Sequence, residues 1–421
     1  MSDVGPVPRD GAVVDRYLAL GLALGRHVDG LVDAYYGPEE LVAAIAAGSP
    51  TAPAALVETA RALLADIDAG VPLDGPAGRA GGAGAGAGSA GSEARRRRWI
   101  AAQVRGLHTT ARRLAGEAVS YPDEVEQCYG VRPRPFPEDE FAAAHARLEE
   151  ALPGGGPLVE RHVDWRESYA VAPDKLGSAI ASLAEDLRAR TEARFGLPEG
   201  ERVDFELVTG QPWSGFNYYL GDLHSRVAIN TDLPVLATSL AHLVAHEAYP
   251  GHHTEHTRKE AGLVRNRRFM EETIFLVGTP QCLLAEGLAD LGLEVMLGPR
   301  PEAVVASHLR PLGIRYDADV IAAVTDAAEA LSNVRANAAW RLHVDGADPD
   351  EVVDYVARWA LLSRPRAEKA VAFLSDDTWR AYISCYVEGL PLCRRFVGGD
   401  PDRFARLVSE QLVPADLAAA A

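Results

Sequence analysis

A cluster of histidines between residues 242 and 256 contains the side chains best suited to metal chemistry. It holds five of the chain's twelve histidines, namely His242, His246, His252, His253 and His256. Neutral imidazole is a common metal ligand. Glu247 follows His246 directly, and a zinc hydrolase needs both nitrogens that hold the ion and a carboxylate that activates its water. The cluster therefore predicts a zinc site with Glu247 as the catalytic base.

The spacing after the His-Glu pair departs from the helical motif His-Glu-x-x-His, which places two ligands on one helix face. In an unbroken helix His253 would lie ~10 Å further along the axis than His246, and His252 would point ~240° away from it. Pro250 prevents such a helix, because it lacks an N–H group and clashes with the carbonyl one turn back. Gly251 then gives the backbone the freedom to return over the first turn. On this argument either His252 or His253 can supply the second ligand.

A second carboxylate lies in the apolar segment Leu283–Asp290, which has helical character. Zinc sites with two histidines and one glutamate take the third ligand from a separate helix, and Glu286 fits that role. The small residues Gly287 and Ala289 would let two helices approach closely. Asp290 lies one turn after Glu286 and can orient a ligand imidazole. A glutamate that faces solvent is the alternative interpretation of this segment.

His242 stands one turn before His246, so these two residues could form the ligand pair on one helix face. Glu247 would then follow the second ligand instead of the first, which argues against this pairing. We therefore expect His242 to have a structural role or to support a ligand. His256 is expected at the surface.

The run His-Glu-Ala-Tyr-Pro-Gly-His-His at 246–253, followed by Ala-Glu-Gly-Leu-Ala at 285–289, resembles the bacterial family known as domain of unknown function 885. The segment Asn230–Pro234 resembles the strand that leads into the site of that family. The family is grouped with the gluzincin-type metallopeptidases and is mainly α-helical. The resemblance covers residues 200–300 most strongly. It implies a zinc-dependent hydrolase, and a peptidase or amidase is the first expectation. It does not identify the substrate.

The resemblance also implies roles for single residues. The dipeptidyl peptidase III family is similar in having a longer spacing from its His-Glu pair to a Gly-His pair, which favours His252 as the second ligand beside His246 and Glu286. His253 is then expected to support the site or to contact substrate. Tyr386 is the expected donor to the developing oxyanion, because similar C-terminal segments with a tyrosine recur in the family. A tyrosine in the protein core is the alternative.

Two other functions are compatible with the same residues. Two histidines and one carboxylate also resemble the facial triad of non-haem iron enzymes, so a non-hydrolytic enzyme with iron or manganese is one alternative. A helical scaffold with an inactive site is the other. The intact residues His246, Glu247 and Glu286 argue against this second alternative, because an inactive site would be expected to have lost one of them.

The elements that must position these residues are mostly helices. Glycine repeats between residues 75 and 92 predict a flexible loop. Apolar spacing and Pro or Gly stops predict helices at 12–35, 38–48, 52–69, 93–117, 136–151, 174–195, 266–276, 280–297, 301–309, 317–345, 350–361, 365–374, 376–385 and 401–411. The metal helix is predicted to begin at the N-cap Thr231-Asp232, with Pro234 in its first turn.

Strands are predicted only next to this helix. Residues 203–208 and 225–230 have strand character, and the aromatic residues of 213–219 lie between them. We therefore predict a mainly α, multi-helix metallopeptidase-like fold with a small antiparallel β-sheet next to the metal helix. Three regions, 1–200, 201–300 and 301–421, are expected to form one catalytic unit.

Composition restricts the partners and the location. The net charge of −18 argues against nucleic-acid binding, which needs a basic surface. Four cysteines without a Cys-x-x-Cys pair favour reduced thiols. The first residues lack the pattern of a signal peptide, and no apolar run approaches the ~20 residues of a membrane span. These features predict a cytoplasmic protein that acts on a peptide or amide, without a membrane or nucleic-acid partner.

Overall fold

The computed structural model describes residues 11–75, 87–211, 213–376 and 379–419, and the chain is mainly α-helical with small sheets, as predicted. The helices are α1 Val13–Gly25, α2 Glu39–Ala46, α3 Pro53–Asp68, α4 Ala87–Leu114, α5 Tyr121–Tyr129, α6 Glu138–Ala151, α7 Leu158–Glu167, α8 Pro173–Phe195, α9 Ala237–Glu247, α10 His252–Lys259, α11 Pro280–Leu297, α12 Glu302–Leu309, α13 Ala318–Ala328, α14 Val334–Trp340, α15 Pro349–Trp359, α16 Arg364–Ser375, α17 Ile383–Val397, α18 Pro401–Leu407 and α19 Pro414–Ala418. The strands are β1 Val32–Tyr35, β2 Arg202–Val208, β3 Gly215–Gly221, β4 His224–Asn230 and β5 Ile274–Leu276.

The sheet next to the metal helix has three strands in the order β2-β4-β3. Strands β3 and β4 form an antiparallel pair, whereas the two strands predicted from the sequence, β2 and β4, run parallel along their whole length. The aromatic segment thus becomes the edge strand β3, and it lies beside α9.

The first predicted helix is too long. It ends at Gly25, and residues 32–35 form β1 instead, which pairs antiparallel with β5. The helix predicted at 266–276 is wrong for the same reason, because β5 occupies its last residues. Each of these strands depends on a partner about 240 residues away in the sequence, so neither segment shows its strand character locally.

The metal helix begins at Ala237, later than predicted. The carboxylate of Asp232 does not cap a helix; it accepts hydrogen bonds from the backbone N–H groups of Gly210 and Gln211 at 2.8 and 3.2 Å. The Ala237 N–H group instead donates to the Tyr169 carbonyl at 2.8 Å. A distant loop therefore determines where this helix starts.

Other predicted boundaries also change. The predicted helix 317–345 is divided by a 3-10 turn at Glu329–Asn333 and ends in a π-helical turn at Arg341–Asp345. The helix predicted at 376–385 is wrong in position, since α17 begins at Ile383 and continues through Pro391. The predicted Gly-rich loop 75–92 lies largely outside the described residues, and its last residues, from Ala87, belong to α4.

Two groups of buried apolar side chains form the core. The smaller group joins α1, α3 and α4 with Ile274 and Leu276 of β5. The larger group extends from Ala34 to Leu417 and includes side chains from all three of the predicted regions. The metal helix α9 and the helices α11 and α17 all contribute to this larger group, so the candidate site is built on helices that are packed in the core.

Candidate metal centre

The helix that carries His246 and Glu247 ends shortly before Pro250, the residue at which the sequence predicts a break. Helix α9 stops at Glu247, and α10 begins at His252 after a tight turn. The peptide bond between Tyr249 and Pro250 is cis. The turn closes with a hydrogen bond from the Gly251 N–H group to the Ala245 carbonyl at 2.9 Å. It returns the chain towards His246.

Gly251 is required by the closeness of this turn. A Cβ atom at this position would lie 1.9 Å from the His246 carbonyl oxygen and 2.5 Å from the Ala245 carbonyl oxygen. Backbone atoms cannot give way as a flexible side chain can. Glycine is therefore the residue that the turn permits.

Helix α11 brings Glu286 and Asp290 to the site through two close contacts. A Cβ atom at Gly292 would lie 3.0 Å from Pro250 Cδ, so α11 packs against the turn that precedes His252. Gly287 lies on another face of α11, where a Cβ atom would be 2.4 Å from the Gly389 carbonyl group of α17. Gly287 was expected to let α11 approach the metal helix. It instead permits close contact between α11 and α17.

The structure brings the three predicted ligands His246, His252 and Glu286 together. The two Nε2 atoms lie 3.1 Å apart. Glu286 Oε2 lies 3.4 Å from His246 Nε2, and Glu286 Oε1 lies 3.6 Å from His252 Nε2. Three tetrahedral zinc ligands at ~2.0–2.1 Å from the ion would lie ~3.3–3.4 Å from one another. The separations between these atoms are close to those that such an ion requires.

The state of the Glu286 carboxylate is consistent with a cation at this point. Its Oε2 atom is buried and has no hydrogen-bond partner among the described residues. Its Oε1 atom accepts a hydrogen bond from the Tyr382 hydroxyl at 2.9 Å. A buried carboxylate oxygen without a partner is costly, so the residues present fit a divalent cation.

Asp290 orients the first ligand. Its Oδ1 atom lies 2.9 Å from His246 Nδ1, which leaves the Nε2 atom of that ring directed towards His252 and Glu286. The same oxygen lies 3.4 Å from Nε2 of the half-exposed His242. His242, His246 and Asp290 form a second group of close donors, in which Asp290 links the two rings.

The ionisable groups around the three donors together favour one positive charge among them. Burial opposes protonation of His246, but its interactions with Asp290 and Glu286 outweigh burial and raise its pKa well above the usual value. Burial, and then the charge of His246, lowers the pKa of His252 to about 4. Burial would raise the pKa of Glu286, but the interaction with His246, 3.4 Å away, brings it below its usual value. A proton and a metal ion would therefore compete for the same place.

Glu247 lines the cavity next to the ligands. Burial raises its pKa to about 7, with support from Glu286 and against the opposing charge of His246. Its backbone carbonyl accepts a hydrogen bond from Asn217 Nδ2 at 2.6 Å, which ties the end of α9 to the edge strand β3. A Cβ atom at Gly215 would be 3.2 Å from Glu247 Oε1. The first residues of β3 thus lie against the carboxylate.

Two C-terminal tyrosines, Tyr382 and Tyr386, also line the cavity. Tyr386 lines the cavity, and its side chain is 38% exposed. Its ring packs edge-on against Tyr382, with 5.4 Å between the ring centroids. Tyr382 was missed by the sequence argument although it bonds Glu286 directly. Its position one turn before Tyr386 is the only local signal that could have pointed to it.

Two histidines of the cluster are placed differently from what was expected. The His253 side chain is 0% exposed, and its nitrogens lie 2.8 Å from Ser225 Oγ and 2.7 Å from Glu201 Oε2. It is absent from the three donors and from the lining of the cavity, so it is not placed to contact a substrate there, and it packs instead against Tyr249 of the turn, with 5.2 Å between the ring centroids. His256 is buried rather than at the surface, and it stacks on Tyr219 with 4.6 Å between the ring centroids.

A cavity of about 660 Å³ opens over the three donors. This volume lies within the range of ligand-binding sites. The aromatic side chains Trp213, Phe216 and Tyr218 line one side of it. Asp33 of β1 also lines it, and burial together with Glu286 and Glu247 raises the pKa of Asp33 to about 7. Sequence reasoning missed Asp33, because only the pairing of β1 with β5 brings it here.

Comparisons with known proteins bear on the fold alone. No family model and no curated protein match the chain. A candidate lipoprotein from Colwellia psychrerythraea has a similar structure over 98% of this chain and 76% of its own, with a TM-score of 0.51 and 15% sequence identity. A candidate lipoprotein of unknown function from Shewanella oneidensis is similar over 96% of this chain and 76% of its own, with a TM-score of 0.45 and 12% identity.

The family resemblance inferred from residues 246–253 therefore stays a prediction, as do the zinc cofactor and the cytoplasmic location. Within the described ranges, no helix has both the length and the hydropathy that crossing a membrane requires.

Proposed function

We propose that this protein is a zinc-dependent hydrolase that cleaves peptide or amide bonds. The observation that carries the proposal is the convergence of His246, His252 and Glu286 on one point, where Glu286 Oε2 is buried without a hydrogen-bond partner. The donor types and their separations suit zinc in a site with three protein ligands, which is the arrangement of catalytic zinc. Zinc bound there would supply a Lewis acid that polarises a carbonyl group and lowers the pKa of water.

Glu247 is the proposed general base. It lines the same cavity beside the ligand His246, and burial raises its pKa to about 7. A carboxylate with this pKa can take a proton from the attacking water and later pass it to the leaving amine. Tyr386 lines the same cavity and would donate its hydroxyl proton in a hydrogen bond to the developing oxyanion.

The walls of the cavity suit a peptide-sized substrate. Trp213, Phe216 and Tyr218 of the edge-strand region offer apolar faces, and Asn217 holds the end of α9 in place. These groups would exclude water and orient the substrate, while Asp290 keeps the His246 ring in position.

Two substitutions test the proposal by separating metal binding from hydrolysis. Glu247→Gln should keep about one equivalent of zinc and lower hydrolysis of a fluorescence-quenched peptide pool at least ~100-fold. Glu286→Gln should lose the zinc as well. The matched control is Glu294→Gln on the same helix, because Glu294 is partly exposed, pairs with Arg394 at 3.0 Å and does not line the metal cavity.

Metal content should be measured on protein purified anaerobically, together with the hydrolysis assay. Zinc that is lost from Glu247→Gln, or turnover that is unchanged in it, would contradict the proposal. Iron or manganese in place of zinc, without hydrolysis, would favour a non-hydrolytic metalloenzyme. Wild-type protein with neither metal nor hydrolysis would favour an inactive scaffold.

A further inference from the structure

A second cavity, of about 810 Å³, lies next to the metal cavity along helix α9. Ser239 and Leu243 of α9 line it, whereas His246 and Glu247, at the end of the same helix, line the metal cavity. Trp213 lines both cavities. The two cavities are therefore neighbours that share the Trp213 side chain, with Glu247 close to their boundary.

Three cationic side chains, Arg166, Arg366 and Lys369, line this second cavity. None of them forms an ion pair or a side-chain hydrogen bond with any described residue. This is unusual in a chain with 60 acidic and 42 basic residues. The neighbouring Arg364 shows the usual arrangement, because it pairs with Asp354 at 2.6 Å.

Carboxylates do not neutralise this group of cations. Asp232 and Glu167 also line the cavity. The Asp232 carboxylate is engaged by two backbone N–H groups, and Glu167 is exposed and forms no ion pair within the described ranges. The first turn of α16 lines the cavity as well, so the positive end of that helix dipole adds to the potential.

Two of the three cations, Arg166 and Arg366, lie close enough to repel each other. Burial, followed by the charges of Arg366 and Arg335, lowers the pKa of the partly buried Arg166. His162 lines the same cavity, and its buried Nδ1 atom has no hydrogen-bond partner among the described residues. Like charges held together without a counter-charge are destabilising unless an anion joins them.

The metal cavity has the opposite character. Asp33, Glu247, Glu286 and Asp376 line it, and no described lysine or arginine does. Carboxylates thus line the cavity over the three donors, and cations line the neighbouring cavity beyond Trp213. A ligand that extends from one cavity into the other would need a carboxylate, or a group of equal charge, at one end only.

We propose that Arg166, Arg366 and Lys369 bind a carboxylate of the substrate, so that the hydrolase acts on peptides or amides with a free acidic end in the second cavity. This inference rests on the proposed function, because that function places the scissile bond in the metal cavity. The binding of the carboxylate itself does not depend on hydrolysis. Guanidinium groups suit this role, because they bind carboxylates through paired hydrogen bonds.

The test measures binding without turnover, in protein that carries Glu247→Gln. The probes are N-acetyl-trialanine with a free carboxylate and the same peptide with a C-terminal amide, titrated by calorimetry. We expect the free acid to bind at least ~10-fold more tightly than the amide, which is the effect of about one charge-assisted hydrogen bond. Adding Arg166→Gln and Arg366→Gln should abolish this preference.

Two further variants test whether a loss of the preference for the acid results from misfolding. Arg364→Gln removes the same charge from the same helix but outside the cavity lining, so it should keep the preference for the acid. Arg366→Lys keeps the charge and should retain most of the preference. Circular dichroism melting curves should be measured for every variant.

Equal binding of the acid and the amide to the parent protein would overturn the proposal. A preference that persists in the double Arg166→Gln and Arg366→Gln variant would also overturn it. Failure of the proposed function gives a different result, namely wild-type protein without zinc or without hydrolysis, or unchanged turnover in Glu247→Gln, with the acid preference intact.

Discussion

Replacing Gly251 by alanine tests the geometry of the candidate site most directly. The new Cβ atom would lie 1.9 Å from the His246 carbonyl oxygen, a distance that real Cβ atoms do not show. The backbone of the turn must therefore move by about 1 Å to bring this contact to 3.0 Å. The hydrogen bond from Gly251 N–H to the Ala245 carbonyl, now 2.9 Å, would be weakened or lost.

The size of the effect follows from these contacts. Overpacking of a close contact costs about 1–3 kcal/mol, and the lost hydrogen bond adds about 1 kcal/mol. We expect the free energy of unfolding of the metal-free protein to fall by about 2–4 kcal/mol. A shift of ~1 Å also takes His252 outside the ±0.2 Å tolerance of a zinc bond. Zinc affinity should then fall more than ~100-fold, beyond the usual effect of losing an outer partner of a ligand.

Urea denaturation would measure the stability, and competition with a chromophoric chelator would measure the zinc affinity. Gly177→Ala is the matched control, because Gly177 lies inside α8 and has no atom within 4 Å of a new Cβ. This control should raise the free energy of unfolding by about 0.5–1 kcal/mol and leave zinc binding unchanged. A Gly251→Ala protein with wild-type stability and zinc affinity would refute the geometric argument.

Three further predictions concern the ligands. Asp290→Asn should lower zinc affinity ~10–100-fold in the chelator competition, because Asp290 orients His246 through a 2.9 Å contact. His252→Gln should lose zinc. His253→Gln should keep about one equivalent but lower the free energy of unfolding by about 2–4 kcal/mol in urea, because it weakens the contacts of the buried Glu201. Calorimetry over a pH series should show zinc affinity falling by up to ~10-fold per pH unit towards acid, because the pKa of His246 is raised and its proton must leave before zinc binds.

Particular outcomes would contradict each of these three. Unchanged zinc affinity of Asp290→Asn would mean that Asp290 does not hold the ring. Zinc that is lost from His253→Gln and kept by His252→Gln would reverse the assignment of the second ligand. Zinc affinity that does not vary with pH below neutrality would mean that no proton occupies the metal-free site.

Much of the secondary structure could be predicted, because it depends on short-range chemistry. The helix at Pro280–Leu297 matches its predicted bounds, since apolar residues recur at helical spacing and proline and glycine mark its ends. The predictions failed where a distant partner decides the conformation. Strands β1 and β5 stabilise each other, and Asp232 binds the backbone of another loop rather than starting a helix.

The sequence by itself determined the chemistry of the candidate site and the break that shapes it. The residue types of the histidine cluster limit the site to a metal or an acid–base function. Pro250 and Gly251 end the helix through steric effects within a single turn, which are local and can be read without a structure.

Only the tertiary structure decided which histidine faces Glu286. His252 and His253 have the same chemistry and adjacent positions, so local rules cannot separate them. Ser225 and Glu201 hold His253 in the core, 28 and 52 residues away in the sequence. Because the two side chains point in different directions from the first turn of α10, holding one in the core leaves the other to meet His246 and Glu286. Contacts between distant segments made that choice.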